Sequence, residues 1–254
     1  MDLSKSCKNM YLRQMIRKRK ESNLVDIFLF HGWALSPTSW NTFIDTYKEN
    51  LPDSVIPNTT FHLYNRGYFS DNEFNVNPSQ PSTTVIVTHS LGLHFVPLGL
   101  LHKADYIFVL SGFMNFHKFG GAHSKRIVNK MIEKLQSEPF EVLKEFYKNM
   151  FYPEVMRSNF MDNELAQIRV HRLQNDLNYL NDNIITQRIF SESSKIFLLH
   201  GDKDLISSSK HTLNWMIKMN NVSGRVILNA GHFLPMTHPQ ILSQYIIAQI
   251  DKSL

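Results

Sequence analysis

Thr83-Thr84-Val85-Ile86-Val87-Thr88-His89-Ser90-Leu91-Gly92-Leu93 is the stretch whose reading decides the fold. A β-branched run, suited to a pleated and buried strand, stops at His-Ser-Leu-Gly. An apolar, helix-compatible stretch follows as far as Leu101. The pattern predicts a strand, a sharp turn and a helix, with one serine at the apex. Such a turn lifts a hydroxyl out of the backbone over the end of a sheet and aims the next N–H at the oxygen of an attacked carbonyl. Ser90 is therefore a candidate nucleophile, and the rest of the chain must supply a base and an acid.

Working outward, the same strand-then-helix rhythm recurs. Leu24 to Phe30 reads as a buried strand running into His31-Gly32-Trp33. Ser36 and Pro37 then mark a helix start; the helix is expected to reach Glu49, with Trp40, Phe43, Ile44 and Tyr47 on one face. Phe61 to Tyr64 is a short strand, residues 71–82 a polar loop broken by Pro78 and Pro81, and Tyr106 to Leu110 a further strand closed by Ser111-Gly112. The rhythm returns at Lys195 to His200 and at Arg225 to Asn229, and a helix from Pro239 to Asp251 follows. Alternating strands and helices imply an α/β protein with a mostly parallel sheet covered on both faces. Residues 113–194 show no strand pattern but three helical stretches, near 123–136, 139–150 and 160–182. They read as a helical cap inserted after the fourth predicted strand, on a core of 24–112 and 195–254.

Composition narrows the classes. A chain of 254 residues with 43% hydrophobic content can bury the core of one domain. Its single cysteine, Cys7, allows no internal disulfide framework and suits a reducing compartment. No apolar run reaches the roughly 18 residues of a membrane span, and residues 1–20 lack the apolar core of a secretory signal. A cytoplasmic location is the expectation. The positive excess sits in residues 1–20, where Lys5, Lys8, Arg13, Arg17, Lys18, Arg19 and Lys20 face only Asp2, against a net charge of +5 for the whole chain. Residues 1–23 thus form a basic arm on a nearly neutral body: a solvated tail, a targeting segment, or a contact for an acidic partner or an anionic membrane. No zinc spacing or RNA-binding motif supports nucleic-acid binding.

His89-Ser90-Leu91-Gly92 after a hydrophobic strand resembles the G-x-S-x-G nucleophile elbow of the α/β-hydrolase family, with Thr88 in place of the first glycine. The resemblance extends over residues 24–252, although the two strands that open that fold are not recognisable before residue 24. It implies a Ser-His-Asp triad. Gly201-Asp202-Lys203-Asp204, after the Lys195–His200 strand, matches the family's G-x-x-D turn and maps the acid to Asp204, with Asp202 the competing carboxylate. Ala230-Gly231-His232, after the last strand, maps the base to His232. Serine, acid and histidine follow one another in this fold's chain order. The oxyanion hole is expected to combine the Leu91 N–H with that of Trp33 in the H-G-x loop. His31 and His89 are read as packing residues. Asn65-Arg66-Gly67-Tyr68-Phe69 resembles the D-x-R-G-x-G loop, with Tyr64 and Phe69 at its departures, and is read as scaffold.

His31-Gly32-Trp33-Ala34-Leu35, with Trp40 following, is similar to the opening of the pimeloyl-[acyl-carrier protein] methyl ester esterases of biotin synthesis. That resemblance implies a carboxylic-ester hydrolase working through an acyl-enzyme, with no cofactor and no metal. Its substrate would be a small or acyl-chain ester, carried in that case on acyl carrier protein. An acidic carrier would dock on basic cap residues, for which Lys125, Arg126, Arg169 and Arg172 are the candidates. A thioesterase or carbon–carbon bond hydrolase would share the same triad, and a catalytically inactive binding module could share the fold.

Overall fold

The computed structural model describes residues 24–52, 55–71, 82–156, 160 and 167–251. The basic arm at 1–23, most of the loop at 71–82 and residues 161–166 of the expected third cap helix lie outside them. Six strands form one parallel sheet: β1 (Val25–Phe30), β2 (Thr59–Tyr64), β3 (Thr83–His89), β4 (Tyr106–Leu110), β5 (Lys195–Gly201) and β6 (Val222–Ile227), in the order β2-β1-β3-β4-β5-β6. Register is fixed by the two-sided burial of the inner strands, as in Val25↔Thr83, Val85↔Tyr106 and Tyr106↔Lys195. A one-residue slip would send every side chain to the wrong face.

Each face has its own cover. Ile27, Leu29, Val85, Val87, Phe108 and Leu199 point to a layer containing α1 (Asn41–Glu49), which presents Phe43 and Tyr47, and α8 (Pro239–Asp251), which presents Leu242, Ile246 and Ile250. Phe28, Phe30, Ile86, Ile107, Val109 and Leu198 point the other way, to Leu93, to Leu100 and Leu101 of the short helix α2 (Leu98–Leu101), and to Trp215 of α6 (Lys210–Lys218). Between β4 and β5 lie α3 (Gly121–Lys134), α4 (Pro139–Phe151) and α5 (Val170–Asp182). They pack over the C-terminal ends of the strands in a separate apolar cluster joining Trp33, Leu91 and Phe113 to Val128, Leu143, Tyr147 and Leu177. A short helix, α7 (Leu234–Thr237), precedes α8.

The third cap helix, expected from residue 160, begins at Val170; three other boundaries differ from the sequence reading, each for a physical reason. After β3 the chain takes a 3₁₀ turn over Ser90–Phe95, turns extended at Val96, and resumes as α2. Pro97 lacks an N–H and forces its predecessor out of the helical region. Before α1, Pro37–Trp40 is a 3₁₀ turn, and the Ser36 side chain does not cap it but bonds Thr38 Oγ1 at 2.7 Å. β6 starts three residues before the expected Arg225 and stops short of Asn229, which sits in the left-handed region at φ 57°. As an edge strand it only half-buries Val222, Gly224 and Val226, with Ser223 and Arg225 exposed between them, so its apolar signal is weak.

The sheet order places the crevice. β1 is joined to β2 on one side, and the chain then returns to form β3 on the other, so the loops after β1 and β3 diverge over the strand ends. Open α/β sheets bind ligands at such a switch point.

Candidate active site

Ser90 stands where β3 ends, with φ 54°, a left-handed backbone that a non-glycine residue rarely adopts. The constraint comes from close approach: a Cβ on Gly92 would lie 2.3 Å from the Phe30 carbonyl oxygen and 2.7 Å from that of His31. Only glycine lets the turn pass over the end of β1 there. Thr88, where the elbow pattern has glycine, is fully buried with its hydroxyl 3.5 Å from the Phe108 carbonyl. The Cα of Gly32, after β1, faces the Ser90 Cβ and His89, so the two diverging loops meet at the serine. Leu91 belongs to the first turn of the 3₁₀ segment, whose N–H groups have no acceptor within the helix. Trp33, Ser90 and Leu91 share the wall of one cavity.

His232 and Asp204 come together from the loops after β6 and β5. His232 Nδ1 lies 2.7 Å from Asp204 Oδ2, and both side chains are almost wholly buried. Asp202, by contrast, is partly exposed beside Lys203. Asp204 Oδ1 accepts from the Ile206 and Ser207 N–H groups at 2.7 and 2.9 Å. Burial alone would raise the Asp204 carboxyl, but the facing His232 charge and hydrogen bonds from His200 and His232 outweigh it and hold the group well below the usual carboxylate range. It is a fixed anion.

The backbone of His232 is clamped as well: its carbonyl accepts from Ser111 Oγ at 2.9 Å and from His89 Nε2 at 3.0 Å. His89 must therefore carry its proton on Nε2, and burial, helped by the nearby His232, pushes it well below the ordinary histidine value. Its ring is 4.9 Å from that of His232. With Nδ1 committed to Asp204, His232 Nε2 is buried with no hydrogen-bond partner among the described residues. A buried nitrogen left unsatisfied calls for an explanation; among the described residues Trp40 Nε1, His89 Nδ1 and His94 Nδ1 share that state.

The loop after β1 is held from three sides. His31 Nδ1 donates to the Gly32 carbonyl at 2.9 Å while its Nε2 accepts from the Arg66 N–H at 3.1 Å; burial lowers its pKa to about 4. Trp33 Nε1 donates to Leu173 O of α5 at 2.9 Å, and Tyr147 of α4 donates its hydroxyl to the Ala34 carbonyl at 2.6 Å. Ala34 is itself left-handed, at φ 55°. Arg66 forks onto the buried Asp176 of α5 at 2.6 and 2.7 Å, and Tyr68 donates to the same carboxylate at 2.6 Å.

The cavity above Ser90 has a volume of about 420 Å³. Phe113, Val128, Met131, Val142, Phe146 and Leu177 give it apolar walls, and Lys130 and Lys134 of α3, Glu138 just before α4, and Glu141 and Glu145 of α4 form a charged rim. The four basic residues expected to dock a partner are not among its lining. Lys125 and Arg126 are exposed on α3, Arg169 pairs with Asp71 at 2.6 Å, and Arg172 is half-buried on α5. Residues the sequence reading did not single out are His200, Ser207, Ser111, Tyr147 and Asp176. Of these only His200, directly before the Gly201 turn, stood beside a recognised motif.

No protein-family model matches the chain, and no curated protein sequence matches it. Solved structures do. A bromoperoxidase from Bacillus anthracis superposes with a TM-score of 0.70 at 13% identity, over 90% of this chain and 92% of that one. An esterase from Exiguobacterium antarcticum gives 0.66 at 12% identity, over 89% and 91%. A peroxisomal alpha-beta-hydrolase from Saccharomyces cerevisiae gives 0.60 at 14% identity, over 93% and 78%. The chain therefore has the α/β-hydrolase fold. At such identities the likeness is one of architecture, and function has to be argued from the site.

Proposed function

We propose that the chain is a serine hydrolase of carboxylic esters. Ser90 Oγ attacks the ester carbonyl; His232 takes its proton through Nε2 and returns it to the leaving alcohol. Asp204 holds the imidazole in the Nδ1–H tautomer and stabilises the imidazolium. The Leu91 and Trp33 N–H groups take the oxyanion, each worth about 2.7–4 kcal/mol of transition-state stabilisation. Water then repeats the sequence on the acyl-enzyme. One observation carries this reading: His232 spends Nδ1 on a buried aspartate and leaves Nε2 unpaired, with its ring 4.9 Å from that of His89, the residue before the left-handed Ser90. The apolar cavity favours an ester with a hydrocarbon portion.

A carrier-bound acyl ester is the finer reading. Lys125 and Arg126 favour it, since they are exposed on α3 next to the cavity-lining Ser124 and Ile127. The rim glutamates and the pairing of Arg169 with Asp71 count against an acidic carrier. Salt decides between the two, because exposed charges are screened over about 8 Å at physiological ionic strength. A carrier substrate is expected to lose activity steeply with salt, and a free methyl ester to keep it.

The general reading is tested with a fluorophosphonate probe, expected to label the chain stoichiometrically at Ser90. Ser90→Ala is expected to abolish both labelling and ester hydrolysis. Residual hydrolysis above about a thousandth of the original would assign the nucleophile elsewhere.

A further inference from the structure

Asp204 Oδ2 receives more than the His232 ring. His200, the penultimate residue of β5, brings its Nε2 to 3.0 Å from the same oxygen, and the His200 side chain is fully buried. The same Nε2 lies 2.9 Å from the Ser207 carbonyl. A carbonyl and a carboxylate only accept, so Nε2 carries a proton toward both. On the far side of the ring, Thr212 Oγ1 of α6 is 3.3 Å from Nδ1 and donates to it. Both ring nitrogens are thus satisfied in the neutral Nε2–H form, and nothing in the contact set demands a second proton. Asp204 Oδ2 accordingly sits between two imidazoles, with the Ser207 hydroxyl 3.1 Å away and equally close to a second acceptor, the Ser111 carbonyl.

We propose that His200 is a positioning residue for the acid of this site. Its Nε2–H is shared between the Ser207 carbonyl at 2.9 Å and, at 3.0 Å, the oxygen that also receives His232 Nδ1–H, and to that extent it withholds part of that oxygen's negative charge from the His232 ring. His200 also fixes where Oδ2 points, since the Ile206 and Ser207 N–H groups hold only the other oxygen. The remaining titratable groups around the pair are His211 of α6, with Lys118 beyond it, and His89 at the end of β3. Burial keeps His211 and His89 neutral over the working range, so neither supplies the effect. The inference rests on the reading of Asp204 and His232 as acid and base.

The test compares three variants of the full chain, His200→Gln, His200→Asn and His200→Leu. A glutamine amide reaches about as far as the histidine Nε2 and keeps the donor. An asparagine amide stops near the position of Nδ1 and loses it while staying polar, and leucine loses it altogether. The His232 ring is followed by NMR titration of ¹⁵N-histidine-labelled protein, which needs no substrate. The acid limb of kcat/KM is then followed on an ester. His200→Asn and His200→Leu are expected to raise the titration midpoint by about half to one pH unit, and His200→Gln to restore it. The acid limb is expected to move with the midpoint. A midpoint unchanged in His200→Asn overturns the proposal, as does a glutamine variant that behaves like asparagine; the asparagine variant decides if leucine does not fold. Absence of ester turnover with the NMR shift intact would remove the hydrolase reading and leave the role of His200 standing.

Discussion

Asp176 and Asp204 are both carboxylates sealed inside the protein, their side chains 2% and 1% exposed, and they are held in opposite ways. Asp176 is forked by the Arg66 guanidinium and takes the Tyr68 hydroxyl. Burial would lower Arg66, but Asp176 outweighs it and raises it further, so the cation is permanent. Burial and the same carboxylate raise Tyr68, so its proton is permanent too. Stacked on the Phe95 ring at 4.0 Å, the guanidinium makes a charge-balanced strut between the loop after β2 and α5. Asp204 has no permanent cation, only two imidazoles, a hydroxyl and two backbone N–H groups. Each donor lowers the cost of burying the charge, and none cancels it. A fixed cation builds a joint; an imidazole leaves a charge that can be balanced at one moment of a reaction and released at the next.

The comparison can be broken at either end. Asp204→Asn is expected to cost about four orders of magnitude in kcat, because the imidazole loses its tautomer. Asp202→Asn should change turnover by less than about twofold; the reverse ranking in steady-state assays would reassign the acid. At the other carboxylate, Arg66→Ala leaves a buried charge unpaired and should destabilise the fold by about 3–5 kcal/mol. Chemical denaturation measures that, while the folded fraction is expected to keep most of its turnover. A variant that lost turnover and kept stability would make Arg66 part of the chemistry.

Smaller effects sharpen the contrast. Tyr147→Phe deprives the left-handed Ala34 of the donor to its carbonyl. About 1–3 kcal/mol is expected, shared between stability and kcat and with little change in KM, since the group touches the oxyanion loop and not the substrate. Acid should separate the imidazoles from the guanidinium. Burial lowers His31 and His94 from 6.5 to about 4, so the unfolded chain binds more protons than the native one between those values. Stability is therefore fully present above 6.5 and is lost as pH falls toward 4. Asp204, whose pKa is depressed, surrenders its contribution only at lower pH still. Melting temperatures measured from pH 7 to 4 should fall through this window, and His94→Gln, which cannot titrate, should flatten part of the fall.

What could be read from the sequence was what repeats. Strands buried on both faces write themselves as continuous apolar runs, so β1, β3, β4 and β5 lay within a residue or two of their observed limits, and the turns after them carried the serine, the Gly201 turn and the Gly231-His232 pair. The edge strand β6 was misplaced because Ser223, Gly224 and Arg225 carry no such signal. Pro97 announced the break in the elbow helix, but an apolar stretch on either side hid it. The pairing of Arg66 with Asp176 spans 110 residues, and nothing local marks either residue as the other's partner. His200 was hidden differently: at the end of a buried strand a histidine reads as filler, and only the turn that brings Asp204 back beneath it reveals the contact.

The hydrogen bonds that set the loop after β1 reach far down the chain. Trp33 donates to Leu173, Tyr147 to Ala34, and the histidine that would arm Ser90 is residue 232. During synthesis, then, the serine leaves the ribosome long before anything that could activate it. The loop after β1 is secured only after α4 and α5 have emerged, and His232, the proposed base, arrives later still. An N-terminal fragment ending before residue 195 would hold the elbow sequence and every residue of the oxyanion loop, and would carry neither the acid nor the base. On the proposed reading, order of emergence along the chain is a safety interlock that keeps the nascent chain inert until its last strand is in place.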